Sequence, residues 1–186
     1  MSADIYFTKD TLDLPNGWIN SEFVWTESYS QKLEAYSVYY KTFSNILTVR
    51  TISVEYLVAM KLMSGRFYKN DLSDIAGILL EHEERGMPMP LEQISAAVEN
   101  LYDGWEMLPD GSLPLMESML ESDDYEKLYK TYREKEKDNA DSLIQFEENY
   151  PGIIKECNVD QILKNLNELK EKNQESGRIK PYPCKR

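Results

Sequence analysis

The pattern of apolar and polar positions changes character once along this chain, near Ser53. Before that point, apolar residues fall in aromatic and β-branched clusters: Phe23-Val24-Trp25, then Leu33 to Tyr40, then Ile46 to Val49. Ile46-Leu47-Thr48-Val49-Arg50 alternates like a half-buried strand, and Ser44-Asn45 supplies a turn before it. Two or three strands are predicted here. Leu14-Pro15-Asn16-Gly17 signals an earlier turn, with Trp18 landing after it.

Beyond Ser53 the repeat becomes helical. Ser53 is placed to cap a helix carrying Val54, Leu57, Val58 and Lys61 and ending at Ser64-Gly65. Asn70 is placed to cap a second, with Leu72, Ile75, Ile78 and Leu79 on one face and Gly86 as its stop. A third follows Pro88 and Pro90, with a stripe of Leu91, Ile94, Val98 and Leu101 and an end at Gly104. Leu108 to Ser112 reads as a turn. A long polar helix is predicted from Asp123 to Asn149, stopped by Pro151-Gly152, its run Tyr132–Asp138 being the mixed charge of a solvated face. Asn158 with Gln161 makes a capping box for a last helix bearing Ile162, Leu163, Leu166 and Leu169. From Gln174 the chain reads as a polar tail.

Composition narrows this picture. Over 186 residues, 41% are hydrophobic and 13 are Tyr, enough for a packed core. No run reaches the roughly 18–20 apolar residues of a membrane span, and MSADIYFTKD lacks the features of a signal peptide, so a cytoplasmic protein is expected. Only His82 and two cysteines, Cys157 and Cys184, are present, without a CxxC pair, which argues against zinc. The net charge of −12 opposes broad nucleic-acid binding while leaving room for a nucleotide, and it suits a protein partner or a homo-oligomer.

The densest candidate chemistry lies at the first helix–turn–helix. Lys61 falls near a helix end, Arg66 in the link, and Asp71 and Asp74 in the next first turn, where their spacing puts both carboxylates on one face. Cations so placed hold phosphates while carboxylates orient them. The plainer reading is that the aspartates complement a helix dipole and the cations pair with them.

The wording VEYLVAMKLMSGRFYKNDLSDIAGIL, from Val54 to Leu79, resembles a segment of minimal nucleotidyltransferase-like proteins of the AbiEii abortive-infection type. There a strand leads into a helix of the form EYLLAMKL.AGR, followed by KDL.DIA.LL. LPNGWIN, at Leu14–Asn20, resembles a second stretch, LP..WLN, of one such group, and the likeness covers roughly Leu14 to Leu101. It implies that Lys61 and Arg66 bind nucleotide phosphates, that Asp71 and Asp74 serve as catalytic-site residues, and that the protein is of defence or toxin–antitoxin type. The family also has a Gly-Ser turn and a strand with an Asp-x-Asp pair that binds two magnesium ions. Nothing before Leu14 matches that pair, so Mg²⁺ and NTP are expected only if a second segment or partner completes the site.

The remaining features are weaker. Gly111-Ser112 with Asp124 and Glu126 matches the bare spacing of such a motif, but its surroundings are helical. Tyr125, Tyr129 and Tyr132 form either a buried seam or an exposed stripe for a partner. His82 is expected to be exposed, and Met63, Met87 and Met89 to serve packing. No nucleophile–base pair suggests a hydrolase.

The sequence therefore predicts an α+β fold, mostly helical, with a small N-terminal antiparallel sheet followed by a helical bundle. Its expected organisation is a partial nucleotidyltransferase-like domain over 1–107, a helical region over 108–173 and a flexible tail over 174–186. Two functions remain: a nucleotidyltransferase-like protein holding a phosphate half-site, or a non-catalytic acidic interaction module.

Overall fold

A computed structural model describes residues 22–155 and 157–177. The expectations for Leu14–Asn20, for Cys184 and for residues 178–186 lie outside the described residues. Ser44 and Asn45 take left-handed backbone angles, with φ of 49° and 57°, and the Ile46 N–H donates to the Phe43 carbonyl at 3.0 Å. That tight turn joins β1 (Val38–Phe43) to β2 (Leu47–Thr51) in an antiparallel pair. The register is Phe43 opposite Leu47 and Lys41 opposite Val49, then shifts between Tyr39 and Lys41.

The preceding cluster does not extend the sheet. Gln31–Glu34 forms a 3₁₀ turn, so the strand starts at Val38 rather than Leu33. The cause is Ser30, whose buried hydroxyl accepts from the Lys32 N–H and donates to the Leu101 carbonyl at 2.8 Å, tying the segment to a helix. Glu22–Trp25 is likewise a 3₁₀ turn and not a strand.

Six α-helices follow among the described residues: α1 (Val54–Ser64), α2 (Asp71–Glu84), α3 (Leu91–Tyr102), α4 (Ser112–Leu120), α5 (Tyr125–Asn149) and α6 (Val159–Gly177). The fold is α+β and mostly helical, with a two-stranded antiparallel sheet leading into the helices. Helix α4 is absent from the sequence reading, which took Ser112 into a turn. The Ser112 N–H and hydroxyl do both reach the Pro109 carbonyl, but the turn continues as helix because Pro114 sits in the first turn, where its missing N–H costs nothing.

Predicted helix ends differ in detail, beginning with Ser53, which makes no side-chain cap on α1 and donates its hydroxyl to Glu55 instead. Asp103, not Gly104, takes the left-handed position that ends α3, with φ of 68°. The capping box of Asn158 and Gln161 does not form. The Asn158 side chain instead accepts from the Lys155 N–H and donates to the Ile153 carbonyl, closing its own loop, while Gln161 pairs with Asn165. Helix α6 runs on through Gly177, past the predicted end of helix at residue 173.

One apolar core joins the first five helices. Val58 and Leu62 of α1, Ile75 of α2, Ile94 and Val98 of α3, and Met116 and Met119 of α4 are fully buried. Each such side chain contributes about 1.5–3 kcal/mol on leaving water. Helix α5 lies against α2 and lays Tyr125, Leu128, Tyr129 and Tyr132 on this core, so the tyrosine stripe is a seam and not an exposed patch. A smaller cluster of Leu143, Val159 and Leu163 joins α5 to α6. No helix among the described residues is long and apolar enough to cross a membrane.

Candidate functional site

The site begins with the reversal between α1 and α2. Lys61 occupies the last turn of α1, which closes on Gly65 in the left-handed conformation (φ 54°), its N–H donating to the Lys61 carbonyl at 3.0 Å. A side chain at Gly65 would be strained by that φ and would meet Pro109 at 3.3 Å. Sharp reversal brings α2 back beside α1, and Asp71 and Asp74 of its first turn come to face Lys61.

The four candidate residues converge. Lys61 Nζ donates to Asp71 Oδ1 at 3.0 Å and to Asp74 Oδ2 at 2.7 Å. Arg66 grips Asp71 with a two-pronged contact, Nε to Oδ2 at 2.8 Å and Nη2 to Oδ1 at 3.2 Å. The Asp71 side chain is 1% exposed, while Lys61, Arg66 and Asp74 retain 25%, 36% and 45%. Burial alone would raise the Asp71 carboxyl, yet hydrogen bonds from Arg66 and Lys61 and their charges hold it below the usual value. For Lys61, burial works against the charge, and the bonds to Asp74 and Asp71 overcome it and raise the ammonium.

A fifth member, Glu136, comes from α5. Asn70 makes no side-chain cap on α2, contrary to expectation. Glu136 takes that role from across the interface, accepting from the Leu72 N–H at 2.7 Å and the Ser73 N–H at 3.3 Å. It is buried within the run that the sequence marks as a solvated face. Burial raises its carboxyl, the two N–H groups partly offset that, and the nearby charge of Asp71 adds to it. The signal was present in the stripe Tyr125, Tyr129, Tyr132, whose spacing continues through Glu136, Asn139 and Leu143, all buried. Asn139 donates to the Phe67 carbonyl at 2.8 Å, so α5 holds both the α1–α2 link and the start of α2.

The charges in this cluster answer one another. Two cations meet two aspartates, and Glu136 adds a further negative charge beside them. A phosphate would have to displace Asp71, and a magnesium ion would find Asp71 and Asp74 already held by cations, so the residues do not fit that metal. Among the described residues, no group of three His, Cys, Asp or Glu side chains is arranged to hold a metal ion.

Arg66 also borders an open cleft of about 360 Å³, with Ser28, Ser64 and Tyr68 and with Glu27 and Asp160 of opposite charge. Lys61, Asp71 and Asp74 do not line it, so the four residues share a cluster but not a pocket. Asp124 caps α5 by accepting from the Lys127 N–H at 2.8 Å, and Glu126 pairs with Lys130, which places that pair on an exposed helix start. His82 is half-buried rather than exposed, its Nδ1 3.0 Å from the Met87 carbonyl. Met89 is buried and Met87 exposed.

Compared with known proteins, the chain matches no family model, no curated protein and no solved structure.

Proposed function

We propose that this chain is a non-catalytic protein-binding module, in which Lys61, Arg66, Asp71 and Asp74 lock a helical scaffold together. The observation that carries this reading is Asp71: 1% exposed, and bonded by both cations that a phosphate would need. Buried, mutually satisfied charges hold a scaffold, whereas a phosphate site keeps its cations available to ligand. Apolar surface outside the core points the same way, since Val38, Tyr40, Phe43, Ile46 and Leu47 are all exposed in and around one hairpin.

One specific observation favours a second reading, a nucleotidyltransferase-like half-site of defence or toxin–antitoxin type. Arg66 joins the cluster to the 360 Å³ cleft, which is within the size range of small-ligand sites. In that reading a second segment or partner brings the metal-binding carboxylates, and NTP enters beside Arg66. The two are separated by incubating the chain with Mg²⁺, each labelled NTP, and RNA or protein acceptors. The binding-module reading expects no transfer and no saturable nucleotide binding. Transfer, or nucleotide binding abolished by Arg66→Ala in a folded protein, overturns it.

A further inference from the structure

We propose that the contact of α5 with α2 is a proton-operated latch. A proton on Glu136 tightens it, and loss of that proton lets α5 open from α2 while the rest of the core stays folded. The proposal goes beyond the protein-binding reading and does not depend on it. Its ground is the charge inventory of one corner of the molecule, where three carboxylates meet two cations. Lys61 and Arg66 both bond to Asp71, and Lys61 bonds to Asp74 as well, at 2.7 to 3.2 Å. Glu136, 2% exposed, is held instead by the Leu72 and Ser73 N–H groups of α2. The charged group of α2 that bears on it is Asp71, to which Lys61 of α1 and Arg66 of the link are bound. Lys69 of the link and Lys135 and Lys137 of α5 are exposed, and Tyr132, one turn earlier on α5, feels the Glu136 charge. The charge bearing on Glu136 is thus of like sign, and a proton is the partner this corner lacks.

Helix α5 is attached in a way that lets it open on its own. Its buried residues are Glu136, Asn139, Ser142 and Leu143, and Leu143 belongs to the α5–α6 cluster rather than to the main core. The side chains it lays on the main core, Tyr125, Leu128, Tyr129 and Tyr132, are only partly buried. An element with few fully buried apolar contacts opens at lower free energy than the body it rests on. The pH dependence follows from proton count. Burial and Asp71 hold the Glu136 carboxyl above its ordinary 4.5 while the latch is closed, and opening returns it to that value. Opening therefore releases a proton between 4.5 and the raised value, so rising pH favours it through that window and no further.

The test is hydrogen exchange of the full chain by mass spectrometry from about pH 4 to 8, corrected for intrinsic exchange, for wild type and Glu136→Gln. The variant keeps an oxygen to accept from Leu72 and Ser73 and cannot ionise. Peptides of α5 are expected to exchange more readily than those of α3 in wild type. Their opening should increase above pH 4.5 by at most about tenfold per pH unit and then level off, whereas Glu136→Gln stays flat. Parallel pH profiles in the two proteins overturn the latch. Equal protection of α5 and α3 overturns it too, because α5 then opens only with the whole fold. The Glu136 carboxyl carbon, titrated by NMR in wild type, gives a check that needs no variant. Its midpoint is expected above 4.5, and a midpoint at or below 4.5 overturns the proposal.

Discussion

At the residue scale, the account turns on Asp71 and Glu136, two carboxyl groups that burial affects alike and their partners affect differently. Truncating a buried, paired charge leaves its partners uncompensated, so Asp71→Ala is expected to cost about 3–5 kcal/mol by urea unfolding. Asp74, 45% exposed and bonded only to Lys61, is expected to cost no more than about 1 kcal/mol when truncated. The pH dependence separates the two buried groups. Asp71 sits below its ordinary 3.8 in the folded state, so its stabilisation is complete above that value and is lost as pH falls through the lowered one. Glu136 sits above its ordinary 4.5, so the folded state takes its proton first, and stability rises as pH falls from neutral through the raised value towards 4.5. Wild type should therefore gain stability relative to Glu136→Gln over that upper window. It should lose stability relative to Asp71→Asn below about 3.8. Thermal unfolding across pH 2–7.5 reads both differences; curves parallel to wild type would remove these groups from the account.

At the element scale, α5 is the strut. Its buried face runs from Tyr125 through Glu136 to Leu143 and packs on α2, where Gly77 lies under the Tyr129 ring. A Cβ built at Gly77 stands 3.5 Å from that ring, an ordinary contact, so Gly77→Ala should stabilise by about 0.5–1 kcal/mol through helix propensity. A loss of stability would mean the interface is tighter than described. Tyr129→Ala should cost about 2–3 kcal/mol, less than a fully buried aromatic, and leave sedimentation unchanged. A change of assembly state with the fold intact would return the stripe to a partner surface. The helices α1 to α3 were legible in sequence because their apolar residues recur at helical spacing between Gly and Pro punctuation. The hairpin turn was legible in Ser44-Asn45. Helix α4 was not, because Leu108-Pro109-Asp110-Gly111-Ser112 carries turn chemistry that the helix uses as its own start. Glu136 was not, because a carboxylate among lysines and glutamates looks solvated until the α2 N-terminus 64 residues away is seen to need it. The candidate site itself was legible as a cluster through the spacing of Lys61, Arg66, Asp71 and Asp74; its mutual saturation was a property of tertiary distances.

At the scale of the whole molecule, the described residues form a helical body with a charge-locked reversal on one side and an uncovered hairpin leading into it. The net charge of −12 disfavours phosphate backbones, and Lys41 and Arg50 make the hairpin a local cationic exception. The central claim is that the Lys61–Arg66–Asp71–Asp74 cluster serves structure rather than nucleotide. Isothermal titration of the full chain with each NTP and Mg²⁺, up to about 1 mM at the top of the usual KM range, tests it most directly, with Lys61→Ala and Arg66→Ala titrated in parallel. The account predicts no saturable heat for any of the three proteins and lowered thermal stability for both variants. Saturable binding to wild type, abolished in either variant while its stability stays at the wild-type level, would contradict it.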